Sequence, residues 1–137
     1  MFERILIALD LDYLDHIEKT KQAAFALGGD KALYQLVTVL PPLGGSMVSS
    51  FLPVGYEKKI MAGLQERLHE VSALHFAGKQ VKHIVAHGTV YEEISQIADK
   101  EHSDVIVVIT GKSKGQALGP NAARIARYSH KPVFIIR

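Results

Sequence analysis

The chain has 137 residues, 47% of them hydrophobic, no cysteine and a formal net charge of +2. That suits one domain with a real core rather than two; the lack of cysteine excludes a disulfide framework, a thiolate nucleophile and a sulfur-ligated zinc, and the small, interspersed charge offers no footprint for nucleic acid. No apolar run approaches the roughly 20 residues that span a bilayer, and the opening MFERILIALD, with Glu3 beside Arg4 and Asp10 soon after, is unlike a signal peptide, so a cytoplasmic protein without membrane contact is expected.

Residues 4–9 read as a first strand, apolar at nearly every position as in a strand covered on both faces. Leu14, Ile17, Ala24 and Leu27 suggest a first helix that stops near Gly28 and Gly29, and residues 33–40 a second strand. Residues 41–55, PPLGGSMVSSFLPVG, form a long apolar loop, which is either a lid on the protein's own core or a cover for a ligand or partner. Ile60, Leu64, Leu68, Val71 and Leu74 keep helical spacing, with Gly78 as the stop. Residues 81–87 alternate Val81, His83, Val85 and His87 with Lys82, Ile84 and Ala86, polar enough for an edge strand. Thr89 and Glu92 match a capping box ahead of Tyr91, Ile94, Ile97 and Ala98. Residues 105–109 are a fourth strand, Gly119-Pro120 starts a last helix through Ala122, Ile125 and Ala126, and residues 133–136 end the chain as a fifth strand.

Strand and helix alternate throughout, so the expected fold is α/β: a single domain over residues 1–137, with a doubly wound five-stranded parallel sheet and helices on both faces. The apolar strand Val133–Ile136 would leave hydrogen-bonding groups bare if it were an edge. Pairing with its copy across a two-fold axis, a homodimer, would cover them.

Ligands of such sheets bind beyond the carboxyl ends of the strands, where the winding reverses. The first strand ends in Ala8-Leu9-Asp10 and the fourth leads into GKSKGQALGPNAA, residues 111–123. Asp10 can accept from ribose hydroxyls or can simply hold a turn, with Asp12 and Asp15 in the same polar stretch. Loop amides and the start of the last helix can receive phosphate. The loop is no Walker A element, because Ile106 stands where its first glycine belongs, and no G-x-G-x-x-G occurs. What remains is Gly111, Gly115 and Gly119 with Lys112, Ser113 and Lys114 among them. Asn121 offers a side-chain amide to phosphate or to solvent.

Seven histidines raise the question of a metal. His83 and His87, on one strand face, would stand about 13 Å apart, too far for one ion with bonds of about 2 Å, and His69 and His75 point to different sides of a helix. Ser113, His87 and Asp10 make a hydrolase triad only on paper, without a G-x-S-x-G elbow. A receiver domain would need an aspartate where His87-Gly88 ends the third strand.

The opening RILIALD, the QLVTVL of strand two, HGTVYEEI, DVIVVI and the close LGPNAARIARYSHKPVFIIR together resemble the universal stress protein family over essentially the full chain. The LGPNAA start is most similar to the small single-domain F/G-type members, which are associated with ATP binding. The resemblance implies strand order 3-2-1-4-5, dimerisation through strand five, and adenine near the ends of strands one and two. It matches Asp10 to the acid near adenosine, with Ala8 beside it, Val39 to the residue whose backbone meets adenine, and Gly111, Lys112, Ser113, Gly115, Gly119, Pro120 and Asn121 to the phosphate loop.

The family's signature is glycine, two residues, glycine, nine residues, then glycine with serine or threonine. Here Ile109 or its neighbour replaces the first glycine, seven residues separate Gly111 from Gly119, and Pro120 removes a hydroxyl and an amide donor. Lys112 and Lys114 are the candidates to compensate. The reading is thus a cytoplasmic homodimeric module binding an adenine nucleotide, ATP with Mg, with at most slow turnover and no positioned general base. The alternative is a nucleotide-free dimeric scaffold for an unidentified regulatory protein.

Overall fold

In the computed structural model, which describes residues 1–42, 54–110 and 118–137, nine elements alternate: β1 (Arg4–Ala8), α1 (Ile17–Gly28), β2 (Leu33–Leu40), α2 (Tyr56–His75), β3 (Gln80–His87), α3 (Val90–Lys100), β4 (Val105–Ile109), α4 (Pro120–Tyr128) and β5 (Val133–Ile136). The strands form one all-parallel sheet in the order β3-β2-β1-β4-β5, as expected. Parallel crossovers are right-handed. Winding outward from β1 in one direction therefore puts α1 and α2 on one face, and the reversal at β4 puts α3 and α4 on the other.

The core divides the same way. Ile5 and Ile7 of β1 pack with Ala24 of α1 and Leu68 of α2, while Leu6 meets Ile94 of α3 and Ile125 of α4. Alternate residues of one strand thus serve opposite faces, which is why β1 and β4 are apolar at both parities. β3 and β5 are the edges, in agreement with the more polar pattern of the one and the terminal place of the other. Among the described residues no helix is long and apolar enough to cross a membrane.

Four expectations need correction. Leu74 is 76% exposed, whereas Phe76, just past the helix, is 1% exposed. At 100° per residue, two successive three-residue steps from Leu68 rotate Leu74 about 120° off the buried face, while Ser72 falls only about 40° from it. Ser72 is accordingly buried, and its carbonyl accepts the Phe76 N–H at 2.8 Å as the chain folds the phenyl ring inward. The stop at Gly78 lies beyond that cap, with φ at 79° in the turn to β3. Thr89 does occupy the N-cap of α3 in extended conformation, but its side chain makes no capping bond; Glu92 instead accepts from the Tyr91 hydroxyl at 3.2 Å. Strand ends differ by one residue: β1 stops at Ala8, although the Leu9 N–H still reaches Val37 O at 2.8 Å, and β3 starts at Gln80.

Two features of the frame were not foreseen. Gln35 in mid-β2 is fully buried, accepts from Ser103 Oγ at 2.6 Å and donates to Glu101 O at 3.1 Å, so it stitches the α3–β4 turn to the sheet with its amide satisfied. Gly28 ends α1 where a Cβ would overlap Ile5 Cδ1 and lie 2.7 Å from Ala32 Cβ. Only glycine lets the helix end sit that close to β1.

Candidate functional site

A cavity of about 400 Å³ opens beyond the carboxyl ends of β1, β2 and β4, where the winding reverses. Its walls bring together Ala8 at the end of β1 and Asp10 just after it, Val39 near the end of β2, and Gly119, Pro120 and Asn121 at the start of α4. Those six residues come from three distant parts of the sequence. Gly111, Lys112, Ser113 and Gly115, with most of the apolar 41–55 loop, lie outside the described residues.

Each polar contribution follows from local structure. The β1–β2 register ends at Ala8 opposite Val37, and Val37 O takes the last rung from Leu9. Backbone groups on a strand alternate sides, so Val39, two residues on, directs its N–H and C=O to the same side beyond that rung. A donor and an acceptor thus stand adjacent on the cavity wall, the pair that an adenine edge complements. Asp10 is engaged as a turn acid: its Oδ1 accepts the Asp12 N–H at 2.9 Å and its carbonyl the Tyr13 N–H at 3.0 Å. Its Oδ2 carries neither bond, and a carboxylate has lone pairs for further donors, so the turn role and ligand contact are compatible.

Two helices begin at this crevice. The first turn of α3 carries Glu92 and Glu93, which oppose an anion; that of α4 carries no acid. The first intrahelical bond of α4 runs from Ala123 N–H to Gly119 O at 3.0 Å, leaving the amides of Asn121 and Ala122 without an acceptor inside the helix. Both residues line the cavity. Pro120 sits in the first turn and has no amide to give.

Several residues at the site carried no sequence signal. Tyr13, Thr38 and Leu40 line the cavity, as do Val90 and Ile94 of α3 and Leu64 of α2. Tyr13 donates to or accepts from His16 Nε2 at 3.1 Å. Arg67 reaches from α2 to the β1–α1 turn, donating to Leu11 O at 3.1 Å and Asp12 Oδ1 at 2.9 Å. These partners lie more than fifty residues apart, so spacing along one element could not reveal them.

The histidines are also arranged across elements. His69 of α2 stacks on His83 of β3 with ring centroids 3.7 Å apart and planes at 22°, so their in-plane lone pairs run side by side rather than converge on one ion. Among the described residues no group of three metal-ligating side chains occurs. His87 pairs with Glu57 at 2.9 Å, which commits it elsewhere than the paper triad. His83 Nε2 is buried without a partner among the described residues. Burial first, and His69 second, hold its pKa below the ordinary 6.5. The unfolded chain then takes up a proton that the folded one refuses, so stability is expected to fall as pH drops from about 6.5 toward the lower folded value, and to level off below that. Urea unfolding at about pH 7.5 and about pH 5.5 checks this, with His83→Gln flattening the slope; an equally steep variant would assign the pH dependence to another group.

Comparison with known proteins agrees with this geometry. The model of the universal stress protein family matches residues 1–137. Universal stress protein G of Shigella flexneri is 25% identical over 142 residues, all of both chains being covered. Among solved structures, hypothetical protein MJ0577 superposes with a TM-score of 0.81 at 22% identity, over 99% of this chain and 96% of that one. A universal stress protein in complex with cAMP has a TM-score of 0.67 at 19% identity, over 99% and 97%. The universal stress protein from Archaeoglobus fulgidus in complex with dAMP has 0.62 at 21%, over 98% of each chain. The solved structures establish the fold alone, whereas the family match spans every element that builds the cavity, and so this chain belongs to the universal stress protein family.

Proposed function

We propose that the chain is an adenine-nucleotide-binding module whose ligand lies in the cavity beyond β1, β2 and β4. Adenine meets the Val39 backbone, the sugar lies toward Asp10 and the phosphate toward Asn121 and Ala122 at the start of α4. The observation that carries this reading is the convergence of a backbone donor–acceptor pair, a carboxylate and an acid-free helix start on one cavity of about 400 Å³. Relatives of the same fold in complex with cAMP and dAMP support it. The role is binding in a stress response in the cytoplasm, with at most slow ATP turnover; Mg would accompany a triphosphate. Gly111, Lys112, Ser113 and Gly115 complete the phosphate side in this reading.

The test is to denature the purified protein, identify any released nucleotide by mass spectrometry, and titrate the emptied protein with ATP, ADP and AMP by calorimetry. Binding is expected, and Asp10→Ala is expected to weaken it about tenfold or more, the worth of a hydrogen bond to a charged group. No binding at millimolar ligand would overturn the reading. One observation favours a second one: Pro120 withdraws an amide from the helix start, which suits a nucleotide-free scaffold for a regulatory protein.

Either role would be carried by a homodimer joined along β5. Phe134 is 42% exposed on that edge strand, where a second copy would cover it. Sedimentation equilibrium is expected to give twice the chain mass, and Phe134→Lys to shift the protein toward monomer. A single monomeric species at working concentration rules the dimer out.

A further inference from the structure

Resting on the nucleotide reading above, we propose that Arg67 is a positioning residue for sugar recognition, holding the turn after β1 so that Asp10 meets the sugar hydroxyls and the site prefers nucleotides that carry them. The chain of bonds is short. Arg67 Nη2 donates to Leu11 O at 3.1 Å and to Asp12 Oδ1 at 2.9 Å, Asp12 N–H donates to Asp10 Oδ1 at 2.9 Å, and Tyr13 N–H to Asp10 O at 3.0 Å. Asp10 through Tyr13 all line the cavity.

The anchor of this chain is rigid. One residue past Arg67, Leu68 is fully buried, and three residues before it Leu64 forms part of the cavity wall. The anchored end is not: Asp10 and Asp12 are exposed acids two residues apart, which repel each other and would spread the turn. Arg67 offsets that repulsion and fixes the backbone between them through Leu11 O. An exposed ion pair of this kind adds little to folding stability, but a ligand contact depends on a carboxylate held in place. A carboxylate only accepts hydrogen bonds, so its natural ligand groups are hydroxyls, and a sugar lacking them loses the contact.

AMP and 2′,3′-dideoxy-AMP are the probes, titrated by calorimetry into the wild-type protein and the Arg67→Ala, Arg67→Lys and Asp12→Asn variants, with thermal unfolding measured alongside. The wild type is expected to prefer AMP about tenfold. Arg67→Ala should erase that preference with little change in melting temperature, Asp12→Asn should reduce it, and Arg67→Lys should restore part of it. An unchanged preference in Arg67→Ala, equal weakening of both probes, or no preference in the wild type overturns the positioning role while leaving nucleotide binding intact. Failure of the wild type to bind either probe overturns the nucleotide reading and this inference with it.

Discussion

Pro120→Ser is expected to tighten binding of AMP or ATP about tenfold or more. Proline in the first turn of α4 supplies no amide, whereas Asn121 and Ala122, whose amides have no acceptor inside the helix, line the cavity wall there. Serine restores an N–H and adds a hydroxyl. A hydrogen bond to a charged group contributes about 1.5–3 kcal/mol, so even one of the two restored donors changes affinity about tenfold. Serine is also a sound residue at a helix start, so the fold should tolerate the change. Calorimetric titration of the emptied variant against wild type checks this. Equal affinities would mean that the phosphate does not reach α4.

Phe76→Ala is expected to cost about 3–5 kcal/mol of folding stability, the range for a buried phenyl group. The ring packs edge-on against Phe25, centroids 5.5 Å apart at 81°, and lies 6.0 Å from the Tyr34 ring. Removing it opens a cavity under α2 where the sheet and both helices of that face meet. For a domain whose whole stability is about 5–15 kcal/mol, that is a severe loss. Leu74→Ala, two residues earlier and exposed, should stay within about 0.5 kcal/mol. Urea denaturation of the pair decides the point: comparable midpoints would mean that Phe76 contributes no more to the core than Leu74.

That pair also shows where sequence patterning stops. The spacing Leu64, Leu68, Val71 identifies a helix and its face, because those positions stay within one stripe. It misplaces Leu74 because a further three-residue step leaves the stripe, and it has no means of seeing a residue that folds back after the helix ends. The candidate site divides similarly. Asp10, Gly119, Pro120 and Asn121 were legible as a strand end and a helix start, the positions where a parallel sheet exposes backbone groups, while Val39 came only through the family resemblance. Arg67 was not, since its partners Leu11 and Asp12 lie on another element and a lone arginine on a helix carries no spacing signal.

By itself the sequence determined the alternation of elements, the two-faced burial of β1 and β4, the edge pattern of β3, and the absence of a Walker A or dinucleotide loop. Periodicity, chain order and residue type suffice for these, because each is a property of neighbours along the chain. Only the tertiary structure decided the rest: the cavity at the reversal of winding, the Val39 backbone pair left beyond the last rung, the stacked His69 and His83, the Gln35–Ser103 stitch and the Arg67 clamp. Each of these joins residues from different elements, and such contacts exist only after packing has set one element's register and rotation against another's.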